Sequence, residues 1–147
     1  MKKKRALTLI EIMVVLFIIT IVTSVIGVNM KGTMKEGKAF KSEKGSKQVY
    51  DILSLEMAKN PELINSIIDQ PELILKNSGV VNDPKKTLVD GWGEPFKIKV
   101  DPVDGDIKVT SKKWINHLKE KGLTRDLILD QYPWIDSDEV QEDLYTF

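Results

Sequence analysis

The sequence predicts an α+β chain: a long N-terminal helix, apolar in its first half and head-packing in its second, then a small head with an antiparallel β-hairpin and short C-terminal helices. Three observations carry this prediction. An apolar run from Leu7 to Val28 is broken by a single carboxylate, Glu11, and holds no charged residue beyond Ile12. A helical period follows between Gln48 and Lys59, where Val49, Ile52, Leu53 and Met57 fall on one stripe. The period then drops to two, with Phe96, Ile98 and Val100 alternating against Lys97 and Lys99, and Ile107 and Val109 flanking Lys108.

The first element opens with Lys2, Lys3, Lys4 and Arg5. At about 1.5 Å rise per residue, Ile12 to Val28 gives roughly 25 Å of helix, and Leu7 to Ile10 extends it to the thickness of a hydrocarbon core. It differs from a secretory signal, whose apolar stretch is shorter and is followed by a small-residue cleavage site. Here the processing point, Ala6-Leu7, precedes the apolar run, so cutting there removes the charges and keeps the helix.

The run Lys4-Arg5-Ala6-Leu7-Thr8-Leu9-Ile10-Glu11 resembles the type IV prepilin leader. The resemblance covers about the first 25 residues and implies a pilin-like fold. It implies cleavage between Ala6 and Leu7 by a prepilin peptidase and N-methylation of Leu7. It also implies that Glu11, five positions past the cut, is the assembly determinant. The family usually has Gly before the cut and Phe after it; Ala6 is small enough for a site that selects against bulk, so cleavage is expected to be retained, though slower.

Glu11 also has a physical case of its own. A carboxylate inside an apolar segment costs a few kcal/mol to insert and tends to be paired or functional. In a filament the partner is the new amino group of Leu7 on a neighbouring subunit, which cancels two charges that an apolar bundle otherwise leaves unpaired. The plainer reading has Glu11 reach back to the lipid headgroups.

The formal net charge of zero conceals a split. Lys2 to Arg5 carry +4, and Lys31 to Lys47 hold six lysines against Glu36 and Glu43. Apart from Glu11, the remaining residues comprise twelve basic and nineteen acidic ones, so the head is acidic and nucleic acid is an unsuitable partner. Without cysteine there is neither a disulfide frame nor a thiolate metal site. The basic cluster before the apolar run favours a cytoplasmic N-terminus, although the second lysine group weighs against it.

Residues 29–48 contain Gly32, Gly37 and Gly45, each costing about 1 kcal/mol in a helix relative to Ala. They read either as a basic linker attracted to anionic lipid or, as the resemblance implies, as a continuing helix. The boundaries expected are thus 1–6 leader, 7–28 membrane and assembly helix, 29–59 continuation and 60–147 head. Asn60-Pro61 restarts the chain, and two short helices follow at the repeated Pro-Glu-Leu-Ile of Pro61 and Pro71. Their Leu63, Ile64, Ile67, Ile68, Leu73, Ile74 and Leu75 are expected to pack on the long helix.

Asp90-Gly91-Trp92-Gly93-Glu94-Pro95 precedes the hairpin, and its glycines allow a tight turn that drops an aromatic into the core. Trp92, Gly93 and Pro95 are the structural turn residues expected. This turn is similar to a segment of the major pseudopilins of type II secretion. Beyond Thr110 the resemblance stops. Ser111 caps an expected helix over Lys112 to Lys121, Thr124 one over Arg125 to Gln131, and Ser137 a third over Asp138 to Tyr145. Seven carboxylates and no Lys or Arg follow Arg125, as a solvated face or a contact for a basic partner.

Catalytic motifs are absent, and the single histidine, His117, lies on an expected helix between Ile115 and Leu118, so no catalytic residue and no enzyme activity are expected. Asp101, Asp104 and Asp106 match a calcium loop only loosely, and a hairpin tip rich in Asp and Gly requires no metal. No cofactor is expected, with calcium as the one candidate ion.

The resemblance implies a structural pseudopilin of the bacterial inner membrane, single-pass with a periplasmic head, that polymerises into a filament for type II protein secretion. Its implied partners are itself, other pseudopilins, the prepilin peptidase, the inner-membrane secretion platform and membrane lipid. The alternatives are a type IV pilin of another system, or an uncleaved signal-anchored protein whose acidic head binds a partner.

Overall fold

The computed structural model describes residues 8–141, apart from the side chains of 26–30. The elements run α1 (Leu9–Lys59), a 3-10 turn (Pro61–Leu63), α2 (Ile64–Asp69), α3 (Pro71–Ser78), α4 (Pro84–Thr87), β1 (Lys97–Val100), β2 (Ile107–Thr110), α5 (Lys112–Glu120) and α6 (Arg125–Gln131). This is an α+β, pilin-like fold. The chain divides into two compact units, Met1–Glu36 and Gly37–Phe147.

In the first unit, the described chain is the opening stretch of α1. Its side chains from Leu9 to Val25 are exposed, and most are large and apolar, with Leu9 at 80% and Phe17 at 67%. The hydroxyls inside this run turn back on the helix: Thr20 Oγ1 donates to the Leu16 carbonyl at 2.8 Å and Thr23 Oγ1 to that of Ile19 at 2.7 Å. Their donors are thereby satisfied without water.

The second unit holds the core. Val49, Ile52 and Leu53 of α1 are buried as the stripe predicts, with Met57 packed at its edge. The buried face also extends to Ala39, Ser42 and Ser46, in a segment for which a linker was one reading. These small side chains let other backbone approach α1 closely.

β1 and β2 pair antiparallel, with Lys97 opposite Thr110 and Val100 opposite Ile107. Ile107 and Val109 are buried, whereas Ile98 and Val100 are partly buried. β1 packs against α2, through an element whose only buried side chain is Ile67.

Three expectations need correction. Of the apolar residues in the two Pro-Glu-Leu-Ile helices, Ile67, Ile74 and Leu75 are buried, but Ile64, Ile68 and Leu73 are exposed. Helices of six and eight residues present only about two turns each to the core, which leaves their other faces outside. The first of these helices also begins as a 3-10 turn. The described part of the third C-terminal helix, up to Gln141, is a run of turns. The Asp136 carboxylate there accepts from the Asp138 amide at 3.0 Å, a local bond that competes with helix. One short helix, α4, was not expected; Asp83 caps it through the Lys86 amide and Pro84 occupies its first turn.

Candidate functional site

The candidate site begins at the N-terminus of α1. Lys2, Lys3, Lys4, Arg5, Ala6 and Leu7 lie outside the described residues. Thr8 stands immediately before the helix and Glu11 in its first turn. The Thr8 amide donates to Glu11 Oε2 at 3.3 Å, and the Glu11 amide donates back to Thr8 Oγ1 at 3.4 Å. This is a reciprocal capping box, in which the Glu11 amide also donates to the Thr8 carbonyl at 3.1 Å. The spacing Thr8-x-x-Glu11 is its sequence signal, and it gives Glu11 a role within its own helix beside the assembly role that the resemblance implies. The carboxylate is therefore already oriented along its own helix end, where the helix dipole favours it.

Beyond Glu11 the surface of α1 is apolar to Val25, and the sequence stays uncharged through Val28. Among the described residues, no helix is long and apolar enough to cross a membrane.

In the second unit the expected turn is built around a carboxylate. Asp90 is 1% exposed; its Oδ1 accepts from the amides of Trp92 and Glu94, both at 2.9 Å, and its Oδ2 accepts from Ser111 Oγ at 2.7 Å. Ser111 in turn caps α5 through the Trp114 amide at 3.2 Å. Gly93 takes φ +83°, and Pro95 bridges to Val89. The turn docks on α1 through Gly91, whose amide donates to Ser42 Oγ at 2.8 Å. A Cβ on Gly91 would lie 2.1 Å from the Lys38 carbonyl oxygen, so backbone meets backbone here and only glycine fits. Trp92 itself is half-buried, with its ring 6.2 Å from His117; the fully enclosed tryptophan is Trp114.

The calcium candidates sit at the hairpin connection. Asp101 Oδ1 accepts from the Val103 amide at 2.7 Å, Asp104 Oδ1 from the Asp106 amide at 2.9 Å, and Asp106 pairs with Lys108 at 2.8 Å. Among the described residues, no group of three or more His, Asp or Glu stands where it could hold a metal ion. His117 is buried on α5.

Part of the acidic C-terminal stretch meets lysines of its own chain. Lys99 Nζ lies 2.5 Å from Asp136 and 3.5 Å from Glu139, and Lys97 also pairs with Glu139. Burial opposes ionisation of Asp136, but the Lys99 hydrogen bond and charge prevail and hold its carboxyl below the usual range. Glu139 is held down chiefly by the hydrogen bond from Lys97, and Lys99 is raised by its bond to Asp136. Lys108 Nζ further donates to the Pro133 carbonyl at 2.8 Å.

Residues 1–27 match the prokaryotic N-terminal methylation motif. The chain is 38% identical over 112 residues to a Chlamydia muridarum protein named "Putative outer membrane protein", an alignment that covers 76% of this chain and 90% of that protein. A Chlamydia trachomatis serovar D protein with the same name matches to the same extent. A third, from Chlamydia pneumoniae, is 34% identical over 76% of this chain and 91% of its own. No solved structure matches. The chain belongs to the family of these chlamydial proteins, and by its methylation motif it is type IV pilin-like.

Proposed function

We propose that the chain is a structural filament subunit, processed between Ala6 and Leu7, methylated on Leu7 and assembled through the apolar surface of α1. The observation that carries this reading is the exposed apolar surface of α1 from Ile12 to Val25, which lies within the methylation motif and directly follows one capped carboxylate. So large an exposed apolar surface is unfavourable in water by about 25 cal/mol per Å², and both lipid and neighbouring helices remove that penalty. Counted in the sequence from Leu7 to Val28, which reaches beyond the described residues at both ends, the apolar run matches a hydrocarbon core, and we read it as a single pass in the inner membrane before assembly, with the N-terminus cytoplasmic and the second unit periplasmic. Glu11 then pairs with the Leu7 amino group of a neighbour, and Leu7 lies one residue from the Thr8 amide it already holds. The chain performs no reaction of its own.

Within this class we assign the subunit to type II secretion, on the Asp90-Gly91-Trp92-Gly93-Glu94-Pro95 turn. The relatives' printed name supports a second location, the outer membrane, for the assembled form. Mass spectrometry of chain extracted from membranes of cells with a prepilin peptidase tests the reading. A methylated Leu7 N-terminus is expected, and an intact Met1 overturns it. Glu11→Ala is expected to insert normally and fail to assemble, whereas a plain membrane anchor predicts no effect. Separating inner from outer membranes decides the location.

A further inference from the structure

The second unit carries an open groove of about 620 Å³ between α1 and the segment around α4. That volume lies within the range of ligand-binding clefts. Phe40, Val81 and Val89 supply apolar wall, and Lys41, Lys44 and Lys86 supply charge. Phe40 is 61% exposed, an unusual state for a large aromatic beside a core, with Lys44 Nζ 5.6 Å from its ring centre. The one carboxylate in the lining, Asp83, lies 4.0 Å from Lys86, so the groove keeps two surplus positive charges.

We propose that this groove takes residues 142–147 of a second copy of the chain. That segment reads Glu-Asp-Leu-Tyr-Thr-Phe. Its two carboxylates match the two surplus charges, and Leu144, Tyr145 and Phe147 match the apolar wall. The preceding residues are already engaged elsewhere in their own copy: the Gln141 carbonyl accepts from Lys119 of α5 at 2.6 Å, and Glu139 pairs with Lys97. None of α5, β1 or the 136–141 turns, where those bonds are made, lines the groove. Such a contact joins unlike surfaces and so extends head to tail. It acts between second units, and it stands whether or not α1 assembles.

The absence of cysteine makes the test clean. Full-length chains carrying either Gln48→Cys or Thr146→Cys, with different tags, are mixed in detergent and mildly oxidised. Gln48 lines the groove. The expected product is a mixed-tag dimer, at least tenfold reduced when the groove chain carries Lys44→Glu and Lys86→Glu. It is restored when the other chain also carries Glu142→Lys and Asp143→Lys. Circular dichroism confirms that these surface variants fold. The proposal is overturned by a mixed-tag yield no higher than that of Glu120→Cys in place of Gln48→Cys, or by insensitivity to the charge changes. In a further chain that carries both Gln48→Cys and Thr146→Cys, a disulfide formed within one chain with none between chains also overturns it. Repeating the mixture with Glu11→Ala is expected to leave the yield unchanged, so failure of filament assembly is read separately.

Discussion

The indole N–H of Trp134 donates to Ser46 Oγ at 2.9 Å, joining positions 88 residues apart. It fixes the C-terminal stretch to the long helix. Trp134 also stacks on Trp114 at 6.5 Å, and Tyr132 meets both rings edge-on, at 4.8 Å from Trp114 and 5.6 Å from Trp134. Ser46→Ala leaves a buried donor without its partner and is expected to cost about 1–3 kcal/mol. Denaturant unfolding followed by tryptophan emission measures this.

The turn at Asp90 is expected to tolerate little at its close approach to α1. Gly91→Ala forces a methyl against the Lys38 backbone, which cannot give way as a side chain can, so the cost is expected at the upper end of overpacking, about 3 kcal/mol or more. Gly93→Ala meets open space and is penalised only through its positive φ, by about 1–2 kcal/mol. Thermal unfolding that ranks the two equally contradicts the docking described.

The Lys97, Lys99, Asp136 and Glu139 cluster predicts a stability profile in acid. Both carboxyls have pKa values below their ordinary ones in the folded chain, so the stability they contribute is present above about pH 4–5 and is lost as pH falls through the lowered values. The raised Lys99 acts at the other end: its contribution is full below the ordinary lysine value and fades as pH rises through the higher folded one. The double variant Asp136→Asn, Glu139→Gln is expected to flatten the acid limb in a pH series of melts.

At the N-terminus of α1, Thr8→Ala removes one half of the capping box. The amide of Glu11 keeps its bond to the residue 8 carbonyl and is expected to exchange with solvent faster by at most about fivefold in micelles, the equivalent of roughly 1 kcal/mol for a lost cap. Hydrogen-exchange NMR reads this directly. Unchanged protection at residue 11 counts against the box.

At the hairpin connection, Asp104 serves the turn through the Asp106 amide. Asp104→Ala is expected to cost about 1 kcal/mol with calcium or with chelator. A calcium-dependent difference in melting temperature reverses that assignment.

Much of the fold follows from local pattern. The α1 stripe at Val49, Ile52 and Leu53, the strands at Lys97–Val100 and Ile107–Thr110, and the cap at Ser111 were legible because each depends on neighbours in sequence, whereas Thr124 precedes α6 without a side-chain capping bond. The burial of Ser42 and Ser46 was not, since a serine on a basic helix reads as solvated until Gly91 and Trp134 are brought to it. The acidic stretch left two readings open, and two of its carboxylates are paired with Lys97 and Lys99 from across the fold. The exposure of Ile64, Ile68 and Leu73 escaped for the same reason: composition shows that a residue is apolar, and only packing shows which face is covered.

By itself the sequence determined the α+β class, the methylation motif, the apolar N-terminal helix and its lone carboxylate, because composition, period and spacing are properties of contiguous chain. Only the tertiary structure decided which small residues of α1 receive the turn and the indole, and where two of the C-terminal charges are neutralised. Those outcomes depend on distances between segments far apart in sequence, which periodicity does not encode.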